Sequence, residues 1–79
     1  MATVRYFAAA ADAAGTASEV VEGATLGALL AQLSAEHGAG FERVLGRCSV
    51  LVDRRASADP ATAIGPAATV DVLPPFAGG

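Results

Sequence analysis

The sequence of 79 residues contains no lysine and no tryptophan, and it has a single cysteine and a single histidine. Cys48 alone cannot form an intramolecular disulfide, so nothing in the chain indicates an oxidising compartment. All five basic residues are arginines, set against eight acidic residues for a net charge of −3. The arginines are scattered along the sequence, at Arg5, Arg43, Arg47, Arg54 and Arg55. Because binding to a phosphate backbone needs a clustered basic face, we expect no nucleic-acid partner.

Long apolar runs are also missing. No stretch approaches the ~18 apolar residues of a membrane span, so we expect no membrane contact. The opening MATVRYFAAAADAAG contains one arginine, a short apolar run and Asp12, which is not the pattern of a secretory signal. These features predict a cytoplasmic protein. A chain of this length has room for one domain with one modest core, so a deep, enclosed active site is not expected.

Residues for catalysis are sparse. His37 falls at a predicted helix end and Cys48 at the head of a predicted strand. We expect His37 to be helix-terminal or solvated and Cys48 to act as a small core hydrophobe. With no His/Cys cluster at ligand spacing and no catalytic constellation, the sequence predicts no metal, no cofactor and no independent enzyme activity.

The first half of the chain alternates between short strands and helices. In TVRYFA, Val4 and Tyr6 share one face of a strand, and the large groups on both faces favour a central position in a sheet. AAAADAAG predicts a short helix that Gly15 ends, and SEVVE predicts a return strand.

The best-defined element follows Thr25, a predicted N-cap. Its leucines fall at the i, i+3, i+4, i+7 spacing of one helical face, at Leu26, Leu29, Leu30 and Leu33. We expect this helix to end near His37, with Gly38 in the left-handed conformation of a helix stop. Gly27 should cost about 1 kcal/mol relative to alanine within it.

The second half adds two predicted strands. GFERVLGR is expected to form an irregular or short helical connection into CSVLVD, a strand after which Asp53 starts a turn. A loop rich in proline and glycine then leads to TVDVL, with Val70 and Val72 inward and Asp71 outward. The order strand, strand, helix, strand, strand predicts an α+β roll with one main helix across a mixed sheet. The β-grasp topology is one member of that set, and element order alone does not choose it.

Two features outside the predicted core have open interpretations. Arg54 and Arg55 could dock an acidic partner, although a solvated turn after the strand is the favoured interpretation. Phe76 is a candidate interface anchor, with folding back over the sheet as the alternative.

The ending LPPFAGG is the most distinctive feature. Pro74 and Pro75 favour extended backbone, so the chain should leave the sheet straight, and the residues after Pro75 could project about 13 Å. Gly78 and Gly79 could thread a channel too narrow for any side chain. The carboxylate of Gly79, with a reference pKa of about 3.5, is a poor electrophile that another protein must activate. The tail is therefore better suited to being a substrate than a catalyst.

With these residues in view, the chain resembles the ubiquitin-like sulfur carriers, and among them the small subunit of molybdopterin synthase, the MoaD family. The resemblance covers nearly the whole length. It is carried by VRYFA with the short helix and Gly15, the leucine-striped helix, SVLVDRR, and above all VDVLPPFAGG. The first segment favours this family over the related thiamine-pathway carrier, which usually begins with a shorter strand and hairpin.

The resemblance implies a β-grasp domain over residues 1–73 and an extended, flexible Gly-Gly tail over 74–79. It also implies that an E1-like enzyme uses ATP to adenylate Gly79, that a sulfur donor protein converts it to a thiocarboxylate, and that the large synthase subunit receives the tail. The chain would then be a non-catalytic, sulfur-donating co-substrate. Contacts with partners would come from the tail, at Pro75, Phe76, Ala77 and Gly78.

One segment departs from the family pattern. AAAADAA lacks the charged residues, often an arginine and a glutamate, that relatives carry there. The same ending also serves carriers for thiamine and for cysteine synthesis, and a β-grasp interaction module with an inert tail is the alternative from another class. The sequence separates the carrier pathways only weakly.

Overall fold

The computed structural model describes residues 1–75. In chain order its elements are β1 Ala2–Tyr6, α1 Ala9–Ala14, β2 Ser18–Val21, α2 Leu26–His37, α3 Ala39–Leu45, β3 Ser49–Val52, β4 Arg55–Ala56 and β5 Thr69–Leu73. The strands form one mixed sheet in the order β2-β1-β5-β3-β4. The predicted α+β architecture is confirmed, as is the interior position of the first strand.

The centre of the sheet is the parallel pairing of β1 with β5, which also pairs antiparallel with β3. Val4 lies opposite Val70, and Val72 lies opposite Val50 in the next strand. Val4, Val70 and Val72 have no solvent exposure. Burial of apolar surface is the main favourable term in folding, so these valines anchor the strand from which the tail departs.

Helix α2 has the predicted bounds and N-cap. The Thr25 hydroxyl oxygen accepts a hydrogen bond from the Ala28 N–H at 3.2 Å. Three of the four striped leucines are buried, at Leu26, Leu29 and Leu33, and Leu30 packs against them partly buried. Gly38 has the expected positive φ of 90°, but its ψ of −174° is extended and not left-handed helical. The chain therefore turns at Gly38 directly into α3. No helix within residues 1–75 is long and apolar enough to cross a membrane.

Of the two forms predicted for the connection GFERVLGR, the structure shows the short helical one. Its first six residues belong to α3, a seven-residue helix, and Phe41 within it is only 2% exposed. The ring of Phe41 meets that of Tyr6 edge-on, with centroids 5.7 Å apart. Short helices are marginal by propensity alone. Tertiary burial of Phe41 therefore stabilises a helix that local sequence leaves ambiguous.

The predicted number of strands was wrong by one, since the sequence predicts four and the sheet has five. After β3, Asp53 and Arg54 form a two-residue turn with φ of 49° and 70°, and the chain returns as β4. Positive φ at both positions is the mark of the type I′ turn that joins tight hairpins. The Asp53 carboxylate accepts a hydrogen bond from the Thr69 N–H at 3.0 Å, which holds the turn against β5. Only the pairing partner in the sheet reveals that Arg55 and Ala56 form a strand.

A polar cluster joins the first strand to the end of α2. The Glu19 carboxylate accepts a hydrogen bond from the Tyr6 hydroxyl at 2.9 Å and lies 2.6 Å from His37 Nε2. The His37 ring packs at 4.9 Å from the Phe41 ring and 6.1 Å from the Tyr6 ring, centroid to centroid. This cluster of Tyr6, Glu19 and His37 therefore links β1, β2 and α2.

We expect the two helical glycines to respond oppositely to alanine. Gly27 and Gly40 are each the second residue of a helix, but a Cβ on Gly27 would lie 2.9 Å from Pro60 Cβ, whereas one on Gly40 meets nothing within 4 Å. Gly27→Ala should lose about 1–3 kcal/mol of unfolding free energy through overpacking. Gly40→Ala should gain up to about 1 kcal/mol from helix propensity. Urea unfolding measures both, and equal shifts would contradict the close approach of Pro60.

The buried tyrosine predicts a loss of stability in alkali. Burial, followed by the hydrogen bond and charge of Glu19, raises the pKa of Tyr6. Above its usual value of about 10, the unfolded chain therefore loses the phenol proton while the folded chain keeps it. The unfolding free energy should then fall with rising pH by up to about 1.4 kcal/mol per unit. Because the chain has no lysine, few other groups titrate in this window.

The control for this effect is Tyr6→Phe. At neutral pH the variant should be less stable by about 0.5–1.5 kcal/mol, through the lost hydrogen bond. Above about pH 10 its stability should fall less steeply than that of the wild type. Urea unfolding at a series of pH values measures both chains, and Cys48 contributes equally to each. The same alkaline slope in both chains would show that Tyr6 ionises normally in the folded state.

Candidate functional site

The structure fixes where the chain leaves the sheet. Strand β5 ends at Leu73, which lies opposite Ser49 at the start of β3. On the other side, the Val72 carbonyl accepts a hydrogen bond from the Phe7 N–H at 3.2 Å. Pro74 is half-buried and Pro75 is exposed. The chain therefore departs between the end of β1 and the start of β3, held on both sides up to the prolines.

Two surface grooves flank these prolines. The first, here called the apolar groove, has a volume of about 430 Å³ and is lined by Phe7, Ala8, Ala9, Ser49, Leu73, Pro74 and Pro75. Phe7 is 39% exposed, which is unusual for a phenylalanine in a small domain. Exposed apolar surface beside a chain exit is typical of a protein interaction site.

The second groove carries positive charge. This arginine groove has a volume of about 260 Å³ and is lined by Ala9, Arg43, Val44, Arg47, Pro74 and Pro75. The arginines are scattered along the sequence, but the structure places two of them beside the exit, Arg43 within α3 and Arg47 in the turn that follows it. A helical pattern alone does not pair them, because α3 ends at Leu45.

The backbone at the edge of the apolar groove is unusual. Ala8 adopts φ 51° and ψ −124°, a region that residues with a Cβ rarely occupy. Such a conformation costs on the order of 1–3 kcal/mol and persists only where the surroundings hold it. It turns the chain sharply between Phe7 and the start of α1, so that both line the same groove.

Asp71 points away from the helices, as predicted, but it is not exposed. Only 5% of its surface is accessible because Arg5 covers it, with Nε 2.6 Å and Nη2 2.9 Å from the two carboxylate oxygens. The hydrogen bond to Asp71 raises the pKa of Arg5. The guanidinium also lies 5.8 Å from the Phe7 ring centroid, within cation–π range. The pair therefore supports Phe7 from the open face of the sheet.

The other tail residues predicted from the sequence are Phe76, Ala77, Gly78 and Gly79, and they lie outside the described residues. Of the predicted partner contacts, the structure places only Pro75, which borders both grooves.

His37 is helix-terminal, as predicted, but it is not solvated, since its side chain is 13% exposed and bonded to Glu19. With Glu36, these residues bring ligand atoms within 4.8 Å of one another. Imidazole and carboxylate groups suit a divalent transition metal. The sequence pattern missed the group because Glu19 and His37 come from different elements. Glu19 and His37 are hydrogen-bonded to each other, and this bond explains why their ligand atoms lie close together.

Cys48 is partly buried and packs against the core, close to the predicted role. Its thiol donates a hydrogen bond to the Val44 carbonyl at 3.2 Å, and burial raises the pKa of the thiol. A thiol is nucleophilic only as the thiolate, so this environment disfavours reaction. His37, bonded to Glu19, is not its base.

Arg54 and Arg55 are exposed, as the favoured interpretation predicted. They follow Val52, which lies opposite Val70 near the start of β5, whereas the tail leaves from the other end of that strand. The structure therefore does not bring Arg54 and Arg55 to the tail exit.

Comparison with known proteins agrees with this geometry. The sequence model of the ThiS family matches residues 4–79. No curated protein matches the chain significantly. Among solved structures, SAMP1 from Haloferax volcanii is 28% identical, with a TM-score of 0.79 over 99% of this chain and 98% of that chain.

Two further structures extend the likeness. CysO of Mycobacterium tuberculosis is 25% identical, with a TM-score of 0.80 over 96% of this chain and 100% of that chain. A chain in the complex of subunits 1 and 2 of the Helicobacter pylori molybdopterin-converting factor is 22% identical. Its TM-score is 0.75 over 99% of this chain and 97% of that chain, and this likeness shows the fold alone. The β-grasp prediction is confirmed, and the chain belongs to the ThiS family of ubiquitin-like sulfur carriers and modifiers.

Proposed function

We propose that this protein is a sulfur carrier whose Gly79 carboxylate is adenylated by an E1-like enzyme and converted to a thiocarboxylate. One observation supports this most. The ThiS family match runs through Gly79, so the tail is part of the family pattern and not an addition to the domain. The last strand, buried at the sheet centre, leads directly into that tail.

The chemistry needs little from the carrier itself. A carboxylate oxygen of Gly79 attacks the α-phosphate of ATP, which gives an acyl adenylate and releases pyrophosphate. A sulfur nucleophile then attacks the acyl carbon. The bond between that carbon and the phosphate oxygen breaks, and AMP leaves. With hydrosulfide as the simplest donor, the products are the thiocarboxylate, AMP and a proton. The carrier contributes position, because holding the reacting group in place replaces a bimolecular encounter.

The tail supplies that position in this proposal. Residues 74–79 act as an extended segment, with Pro74 and Pro75 directing it away from the sheet. Phe76 and Ala77 contact the partner, and Gly78 lets the backbone pass a narrow channel. The domain over residues 1–73 stays outside the partner's active site and provides the surface that the partner binds.

The receiving pathway is the finer part of the proposal. We propose that the carrier is the small subunit of molybdopterin synthase and delivers its sulfur to the large subunit. The first strand, VRYFA, and the ending VDVLPPFAGG support this choice. CysO is similar to this chain at 25% identity and does not identify the acceptor, so the choice of acceptor needs a direct test.

A modifier function uses the same activated carboxylate. SAMP1 of H. volcanii, also described as a small archaeal modifier protein, is similar to this chain over its full length. Attack by an amine of another protein, instead of sulfur, would give a stable amide. This chain has no lysine, so it cannot form lysine-linked chains with itself.

Mass spectrometry of the loaded protein tests the carrier function. After incubation with its adenylating enzyme, ATP and a sulfur donor, the intact chain should show one oxygen replaced by one sulfur, located at Gly79. Deletion of Gly78 and Gly79 should abolish the change. Cys48→Ala should leave it intact, because the Cys48 thiol is held protonated and hydrogen-bonded.

Two outcomes would count against the carrier function, and a third would count against the molybdopterin pathway. Addition of a sulfur without loss of an oxygen, removed by Cys48→Ala, would indicate a persulfide on Cys48. No mass change with any donor, together with full partner binding by the chain lacking Gly78 and Gly79, would indicate an interaction module. Loaded protein that fails to form molybdopterin with the large subunit would move the carrier to another pathway.

A further inference from the structure

The arginine groove raises a question that the carrier function does not answer. A tail that is handed to a partner needs only its terminal residues to react, but α3 and the turn after it place two cations beside the start of the tail. Arg43 and Arg47 are both exposed, and both border Pro74 and Pro75.

The charge of these two arginines is available to a partner. Within residues 1–75, the close contacts between basic and acidic side chains are Arg5 with Asp71 and His37 with Glu19, so neither Arg43 nor Arg47 is paired with a described carboxylate. The protein as a whole is acidic, with a net charge of −3. Arg54 and Arg55 are also exposed, but they lie at the far end of the sheet, so Arg43 and Arg47 are the arginines that border the tail exit among the described residues.

The shape around the arginines suits a protein partner. Apolar Val44 and Ala9 line the arginine groove together with the arginines and the prolines. The apolar groove with Phe7 shares Ala9 and both prolines with it. An apolar centre with a charged rim is the usual anatomy of an interface, and arginine can bind a carboxylate through two hydrogen bonds.

We infer that Arg43 and Arg47 dock the carrier on an acidic strip of the protein that adenylates it, beside the entrance that receives the tail. This inference rests on the proposed carrier function and adds the chemistry of the partner surface. Carboxylates on the partner would pair with the arginine groove, while an apolar side chain would occupy the adjoining groove. Charged contacts at a rim mainly speed association, so they would act before the tail is threaded.

The pair also offers an explanation for the departure in α1. AAAADAA brings no arginine to this region, and Ala9 of that segment lines the arginine groove opposite Arg43 and Arg47. Arg43 of α3 and Arg47 just after it therefore supply the positive charge that α1 lacks.

The test is ATP–pyrophosphate exchange by the adenylating enzyme encoded in the same genome, measured against carrier concentration. Arg43→Glu with Arg47→Glu should raise KM by on the order of tenfold or more, because complementary charge typically speeds association by that factor. The rate at saturation should stay unchanged. Raising the ionic strength should narrow the difference between variant and wild type.

Two further variants separate docking from folding and from net charge. Arg54→Glu with Arg55→Glu makes the same change in charge at the far end of the sheet, and its KM should shift less. Arg43→Gln with Arg47→Gln avoids a new acidic group near the α3 C-terminus, which the helix dipole disfavours. Its KM should fall between wild type and the Glu variant, with an unchanged Tm.

The outcomes keep this inference apart from the carrier function. Wild-type carrier that supports no exchange would overturn the carrier function. Normal exchange with equal KM for the two Glu variants would leave the carrier function standing and overturn the docking inference. A lower KM for the Arg43 and Arg47 variant would show that these arginines hold the chain's own carboxylate, which would also overturn it.

Discussion

The pairing of β5 with both of its neighbours is the constraint on which the rest of the structure depends. A last strand at the edge of a sheet could fray, and the position of the chain end would then vary. Here β5 is parallel to β1 on one side and antiparallel to β3 on the other, with Val70 and Val72 fully buried. The direction of the chain at Leu73 is therefore fixed by the most stable part of the fold. Both grooves lie beside that exit.

This arrangement suits the proposed function, in which the chain needs no catalytic group of its own. The one cysteine is hydrogen-bonded and disfavoured as a thiolate, and the one histidine is bonded to Glu19 in a structural cluster. In the proposed function the enzyme supplies the chemistry and the carrier supplies a positioned carboxylate. The charge at the exit and the apolar surface beside it then decide which enzyme binds, and the tail decides what reacts.

Much of the fold could be predicted from the sequence, since its signals are local. The leucine stripe after Thr25, the alternation in β1 and β5 and the stop at Gly15 depend on residues within a few positions of one another. The misses share a physical cause. Strand β4 forms only through its pairing with β3, and Asp71 is buried because Arg5, distant in sequence, lies on the neighbouring strand.

The candidate site also has one part that the sequence predicts and one part that it does not. The tail could be recognised from the sequence because its chemistry lies in consecutive residues. The grooves could not, because Phe7, Arg43 and Pro74 come from three distant segments that only the sheet and α3 bring together. Two arginines of a scattered set thus form a charged surface, because α3 and the turn after it bring Arg43 and Arg47 to the same groove.

In the proposed function, the Gly79 carboxylate is the group that the adenylating enzyme activates. A direct measurement compares ATP–pyrophosphate exchange by that enzyme with the intact chain and with a chain whose terminal carboxylate is an amide. The proposed function predicts exchange with the intact chain and none with the amide, although the amide should still compete for binding. Equal exchange with both chains, or none with either, would contradict it.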